Sequence, residues 1–272
     1  MILLPALILT LAAQGTLSSV ALVVDLHGKG RLQGGNLEEP LALLMELSPS
    51  RTVHLEAGAK VVWVTLKTGE EITVLGPAQF SLDALGVPVG LKKGVQRKKV
   101  EGLQLKESLK PGGLAQASLV MRVPHDFELH SPKEGALRKA PTTFQWEALD
   151  GASFRFSLQN AKGEVLSQYE GKERKLVLPA TVHLGPGSYI WRVEATEPSG
   201  NPRQAEGGFQ ILGPDQIALL DAARAQKHQS FARGVLYAAL LQECGLHLEA
   251  KAEWKVLAGL RKEDAILTAF AQ

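Results

Sequence analysis

The sequence predicts a mainly β protein with a C-terminal α segment: a β unit, a seven-stranded β-sandwich and a small helical hairpin bundle. Two observations support this fold class. Between residues 19 and 213, short apolar runs alternate with clusters of Gly, Pro, Asn and Asp, which is typical of strands joined by tight turns. From residue 214 onward, apolar residues instead recur at the spacing of one helix face.

Composition limits the classes of function. The chain has 272 residues, of which 45% are hydrophobic and 21% charged, as in ordinary folded domains. A net charge of +2 is too small for the basic footprint of a nucleic-acid-binding protein. Cys244 is the single cysteine, so an intramolecular disulfide is excluded, and its place near a predicted helix end indicates a small buried apolar residue.

Residues 1–13 form an uninterrupted apolar run that predicts a signal peptide. The small residues at the end of the run suit cleavage there, and cleavage after Ala21 is a second possibility. The alternative is a buried first strand or helix. No other segment is long and apolar enough to cross a bilayer, so we expect an exported, periplasmic protein that is soluble after cleavage.

Residues 19–123 are predicted to form the first β domain. Thr68-Gly69 suits a hairpin turn, because glycine accepts a positive φ at little cost. The basic cluster of Lys92, Lys93 and residues 97–99 is interpreted as a solvated loop, with contact to an anionic lipid or polymer as the alternative. The predicted strands are Val20–Leu26, Leu41–Leu47, Arg51–Leu55, Lys60–Leu66, Glu71–Leu75, Gln79–Leu82 and Leu114–Val123.

The stretch Leu47–Leu82 resembles the periplasmic FecR-like domain. It has a strand, then Gly58-Ala59 before an apolar strand, a glycine turn at Gly69, another strand, and Gly76-Pro77 before a final strand. The resemblance implies a compact β unit used in envelope sensing or protein contact. Classical members couple a transport receptor to a sigma factor.

Residues 126–213 are predicted to form the β-sandwich, because seven short strands follow one another at regular spacing. Phe144 and Trp146 share one strand face, and Tyr189 and Trp191 share another, so these rings are expected to form the core. The predicted strands are Glu128–His130, Thr142–Glu147, Ser153–Gln159, Val165–Tyr169, Lys175–Pro179, Ser188–Thr196 and Gly208–Leu212.

The spacing of Ser131-Pro132, residues 141–146 and residues 184–193 is similar to that of fibronectin type III-like domains. The resemblance implies that Trp146 is the core tryptophan. It also implies that Leu184 and Tyr189 form a tyrosine corner, in which the phenol holds the preceding loop.

Residues 214–272 are predicted to form a helical tail. Pro214-Asp215 suits the start of a first helix, and Ser230 suits the N-cap of a second helix. Gly245 suits the end of that second helix. A third helix is expected from about Leu248, and a short last helix over Ala265–Phe270. The run Leu236–Trp254 resembles a tetratricopeptide-type hairpin, which is expected either to pack on the sandwich or to await a partner.

The sequence predicts no catalytic, cofactor-binding or metal-binding residue. It lacks His-Glu-x-x-His, the Gly-x-Ser-x-Gly turn and a phosphate-binding glycine loop. His125, Asp126 and His130 could bind a metal, but a polar linker explains them more simply. The adjacent carboxylates Glu38-Glu39 and Glu70-Glu71 are expected to be solvated.

These observations predict a non-enzymatic, exported scaffold or sensor subunit that binds another protein of the bacterial cell envelope. The alternative is a module that binds cell-wall polymer or carbohydrate. That function needs an exposed aromatic strip, so the solvent accessibility of Trp63 and Trp254 separates the two. A third class, a hydrolase, would need a pocket with perturbed carboxylates or histidines.

Overall fold

The computed structural model describes residues 19–35, 37–91, 93–100 and 126–272. The fold is mainly β with a C-terminal α segment, as predicted. The predicted signal peptide, the predicted strand Leu114–Val123 and the histidine His125 lie outside the described residues.

Over its described residues, the first β unit contains ten strands in two five-stranded sheets. In chain order they are β1 (Ala21–His27), β2 (Gly30–Gly34), β3 (Leu37–Pro40), β4 (Glu46–Leu47), β5 (Thr52–Leu55), β6 (Lys60–Thr65), β7 (Glu70–Leu75), β8 (Ala78–Leu82), β9 (Pro88–Val89) and β10 (Val95–Lys99). We call the sheet β10-β7-β6-β1-β4 the inner sheet, and the sheet β3-β2-β5-β8-β9 the outer sheet. All their strand pairs are antiparallel.

Two sequence predictions for this unit are corrected by the structure. Only Glu46–Leu47 of the predicted strand Leu41–Leu47 is a strand, because the chain turns at Leu43 and Leu44, where Leu44 has a φ of 62°. Leu41 and Leu43 are nevertheless buried in the core. Arg97, Lys98 and Lys99 lie on strand β10 rather than in a loop. They are exposed on the edge of the inner sheet, where charged side chains discourage pairing with another chain.

The β-sandwich consists of a three-stranded and a five-stranded sheet, in the orders β11-β13-β16 and β12-β18-β17-β14-β15. Its strands are β11 (Leu129–Ser131), β12 (Gly135–Leu137), β13 (Thr143–Trp146), β14 (Ser153–Asn160), β15 (Val165–Gly171), β16 (Lys175–Val177), β17 (Gly187–Thr196) and β18 (Pro202–Ile211). The seven predicted strands are present, and β12 is an eighth that pairs in parallel with β18.

The sandwich core is aromatic, as predicted. Trp146 is fully buried and stacks on Phe156 at a centroid distance of 5.9 Å, while Phe144 lies edge-on to Trp191 at 5.2 Å. The Tyr189 hydroxyl donates a 2.8 Å hydrogen bond to the Gly185 carbonyl, which is the predicted contact between the phenol and the preceding loop.

Four helices follow the sandwich, and we call them together the helical layer. The predicted starts and stops are confirmed: Pro214 opens the first helix, Ser230 Oγ accepts from the Arg233 amide, and Gly245 has a φ of 78° after the second helix. The helices are α1 (Pro214–Gln226), α2 (Phe231–Glu243), α3 (His247–Leu260) and α4 (Ala265–Ala271).

The helical layer packs mainly on the inner sheet, and only its edge contacts the sandwich. Leu22 and Val24 of β1 share a hydrophobic cluster with α2, whereas Ala21 and Val23 face the outer sheet. Strand β6 divides its residues in the same way, because alternate side chains of a strand point to opposite faces. The inner sheet is therefore a middle layer with both faces buried. The tail was expected to pack on the sandwich, but it makes only a minor contact there and packs mainly on the inner sheet.

Candidate functional site

The described residues contain no group of three or more His, Cys, Asp or Glu side chains that could hold a metal ion. The sequence analysis considered His125, Asp126 and His130 as possible metal ligands. His130 lies 3.7 Å from Glu128, and His125 lies outside the described residues. Cys244 is buried in the helical layer, as predicted, and burial raises the pKa of its thiol to about 11. The thiol therefore stays protonated at neutral pH and is a poor nucleophile.

None of the aromatic side chains is exposed. The chain has four Trp, three Tyr and eight Phe residues, all within the described ranges, and each is buried or half-buried. Trp63 and Trp254, the residues chosen above to separate protein binding from polymer binding, both have no exposed surface. The fold therefore presents no aromatic platform on which a sugar ring could stack.

A buried carboxylate connects the first β unit to the end of the helical layer. Asp25 on β1 is 3% exposed and accepts a 2.6 Å hydrogen bond from Arg261, which follows α3. Lys60 on β6 lies 2.8 Å from the other carboxylate oxygen. The Arg261 guanidinium also lies 3.4 Å above the Phe231 ring and contacts His27 Nε2 at 2.8 Å. The arginine is thus fixed by ionic, polar and aromatic contacts.

Two opposing effects set the pKa of Asp25. Burial raises it, because the charged form loses hydration, but hydrogen bonds from Lys60 and Arg261 favour the charged form and outweigh burial. The net result is a pKa below the ordinary value of 3.8. Asp25 is therefore ionised at neutral pH.

This arrangement predicts a defined pH dependence. A depressed folded-state pKa contributes stability that is complete above the unfolded value of 3.8 and is lost as the pH falls through the folded value. We expect Asp25→Asn to lower the free energy of unfolding by about 2 kcal/mol at pH 7, because two charge-assisted hydrogen bonds are weakened. Urea unfolding at pH 7, 5 and 3 checks this. The difference between the two proteins should be equal at pH 7 and 5 and smaller at pH 3; a constant difference would contradict the assignment.

A second ion pair lies inside the helical layer's contact with the inner sheet. Arg233 on α2 is 3% exposed, and its Nε donates a 2.6 Å hydrogen bond to Glu71 on β7. Its Nη1 donates to Gln226 at 2.7 Å, whereas Nη2 has no partner among the described residues. The prediction that Glu71 is solvated is therefore wrong, because α2 covers the face of β7 from which Glu71 projects.

A third contact joins the sandwich to the helical layer. Arg138, just after β12, lies 3.0 Å from Glu249 on α3 and 3.5 Å from Asp221 on α1. The Ala136 amide also donates to the Gly245 carbonyl at 2.9 Å. Strand β12, which the sequence did not reveal, and Arg138 directly after it thus make polar contacts that attach the sandwich to the helices.

A shallow depression of about 660 Å³ lies where β1 and α3 end. The residues that line it are Leu26, His27, Gly28, Gly259, Leu260, Arg261, Lys262, Glu263 and Asp264. Its two most constrained charged groups are already engaged, since Arg261 binds Asp25 and the Asp264 carboxylate caps α4. Lys262 and Glu263, which also line the depression, are exposed.

No helix among the described residues is long and apolar enough to span a membrane. No protein-family model matches the sequence, and no curated protein matches it.

Three solved structures show limited similarity. CopC from Methylosinus trichosporium OB3b has 16% identity and a TM-score of 0.24, over 31% of this chain and 88% of that chain. A cytokine receptor complex has 15% identity and a TM-score of 0.23, over 70% of this chain and 89% of that chain. PorZ, a surface component of the type-IX secretion system of Porphyromonas gingivalis, has 14% identity and a TM-score of 0.21, over 63% of this chain and 24% of that chain. At this degree of overlap, the similarities assign neither a family nor a function.

Proposed function

We propose that the protein is an exported, non-enzymatic scaffold or sensor subunit of the bacterial cell envelope that binds another protein. The observation that carries this proposal is the contrast between its aromatic and aliphatic side chains. Every aromatic ring is sheltered, whereas large aliphatic side chains project from several surfaces, among them Leu37, Val177 and Leu248. Exposed aliphatic groups suit contact with another protein better than the stacking of sugars.

The resemblances described above support the same proposal. The first β unit resembles FecR-like periplasmic domains and the sandwich resembles fibronectin type III-like domains, both of which are used for contacts. The apolar run at residues 1–13 favours export. The ion pairs of Asp25 and Arg233 stiffen the junction between β unit and helices, and a rigid frame lowers the entropic cost of binding a partner.

The test is crosslinking in intact cells followed by purification through a C-terminal tag. We expect the protein in the exported fraction without residues 1–13, and one reproducible protein partner after stringent washing. An exported version of the tag alone serves as the control for nonspecific capture.

Two results would contradict the proposal. Recovery in the cytoplasm with Met1 still attached would remove the export assignment. An exported protein that binds purified cell wall, and that crosslinks to no protein, would favour the polymer-binding alternative instead.

A further inference from the structure

Helix α3 has two apolar faces, and only one of them is covered. Ala250, Trp254 and Leu257 are buried against the rest of the helical layer. On the opposite side, Leu248, Val256 and Leu260 are 76%, 60% and 69% exposed. A surface helix normally turns polar residues outward, so a second apolar face indicates a second contact.

The exposed residues form one continuous stripe. Leu248, Ala252, Val256 and Leu260 follow one another at four-residue spacing, and Gly259 lies beside them, all of them exposed. The stripe is about 18 Å long, because Leu248 and Leu260 are twelve helical rises of about 1.5 Å apart. Helix α1 provides the contrast, because its outward positions include Asp215, Asp221 and Arg224.

The charges beside the stripe are unequal. On one flank, Glu249 pairs with Arg138 at 3.0 Å and Glu253 pairs with Lys227 at 2.5 Å, and Arg138 is shared with Asp221 at 3.5 Å. On the other flank, Lys255 is exposed, and Lys262 is exposed just beyond the end of α3. Neither lysine has an ion-pair partner among the described residues. The flank that carries Lys255 is therefore positive, and the exposed Glu263 follows Lys262 at the end of the stripe.

The shape of the stripe favours a helix as its occupant. Small side chains at Ala252 and Gly259 leave a shallow groove between the larger Leu248, Val256 and Leu260, into which a ridge of another helix fits. A membrane-binding helix would instead present aromatic residues and many basic residues, and no aromatic side chain is exposed here.

We propose that the outer face of α3 docks an amphipathic helix of a partner protein, whose leucine-type side chains pack on Leu248, Val256 and Leu260 and whose Asp or Glu side chains face Lys255 and Lys262. This proposal rests on the proposed function and specifies the partner's chemistry. The stripe ends at Leu260 in the depression beside β1, which leaves room for the end of the partner helix.

The probes are two labelled 18-residue helical peptides with the same leucine stripe. One carries glutamates along the flank of the stripe, and the other carries lysines at the same positions. Fluorescence anisotropy with the full chain should show at least tenfold tighter binding of the glutamate peptide. The double variant Lys255→Glu/Lys262→Glu should reverse the preference.

Variants of the stripe complete the test. Leu248→Ser/Val256→Ser should weaken binding of the glutamate peptide at least tenfold, because apolar area is lost at the contact. Val177→Ser, which changes an equally exposed valine on the sandwich, should leave binding unchanged. Both are surface changes, so their unfolding midpoints should match that of the parent protein.

Three outcomes would overturn the proposal: equal affinity for the two peptides, tighter binding to vesicles of anionic phospholipid, or a dimer in sedimentation that Leu248→Ser/Val256→Ser dissolves. If the cellular partner stays bound to the Leu248→Ser/Val256→Ser variant, the docking surface is wrong while the scaffold function stands. If the exported protein has no protein partner at all, the proposed function itself fails.

Discussion

Removal of residues 214–272 is expected to unfold the first β unit rather than to shorten the protein harmlessly. The deletion uncovers Leu22, Val24, Val62 and Val64 on the inner sheet. Exposing four such side chains costs roughly 6–12 kcal/mol at about 1.5–3 kcal/mol each. That loss is comparable to the entire stability of an ordinary domain. The buried Asp25 and the partly buried Glu71 also lose their arginine partners.

Size-exclusion chromatography and binding of a hydrophobic dye check this result. We expect the truncated chain to aggregate or to bind the dye strongly. Removal of α4 alone, residues 265–272, is the matched control, because it leaves α2 on the inner sheet and should keep the chain monomeric. A monomeric fragment of residues 19–213 with a cooperative unfolding transition would show that the helical layer is dispensable. The deletion is accordingly a poor control for partner binding, and surface variants of α3 are better suited to that purpose.

Arg233→Met is expected to lower the free energy of unfolding by about 3–5 kcal/mol. Methionine fills much of the same volume, but it leaves Glu71 charged and without its 2.6 Å partner beneath α2. The cost comes from that uncompensated charge, since a buried carboxylate has lost its hydration. Urea unfolding at pH 7 measures the change.

The double variant Arg233→Met/Glu71→Leu is the matched control. Replacing both members of a buried ion pair with apolar residues is often neutral, so the double variant should recover most of the lost stability. If Glu71→Leu fails to rescue Arg233→Met, the arginine acts through packing or through Gln226 rather than through the ion pair.

The middle position of the inner sheet leaves a signal in the local sequence, although the tail was expected to pack on the sandwich. Residues 21–24 and 61–64 are continuously apolar, and a strand with one solvated face would alternate instead. Their continuity indicates that both faces are buried and that something beyond the outer sheet must cover them. The helix boundaries were equally readable, because Pro214, Ser230 and Gly245 act through local backbone geometry.

The ion pairs and the short edge strands could not be predicted in this way. Asp25 and Arg261 are separated by 236 positions, and no local sequence pattern predicts their contact. Strand β12 has three residues and β3 contains two glutamates, so neither shows an apolar alternation. The exposed stripe on α3 could not be predicted for a different reason. Its apolar residues fit a helical period, but the period does not reveal which face is left uncovered.

The contact between β1 and the end of α3 also constrains how the protein is made. Ribosomes add about 5–20 residues per second, so the positions of Asp25 and Arg261 are synthesised roughly 10–50 s apart. During that interval the apolar surface of β1 has no helical layer to cover it, and non-local closure of this kind is slow. The first β unit therefore cannot mature before the final helices emerge. Its maturation is therefore a whole-chain event.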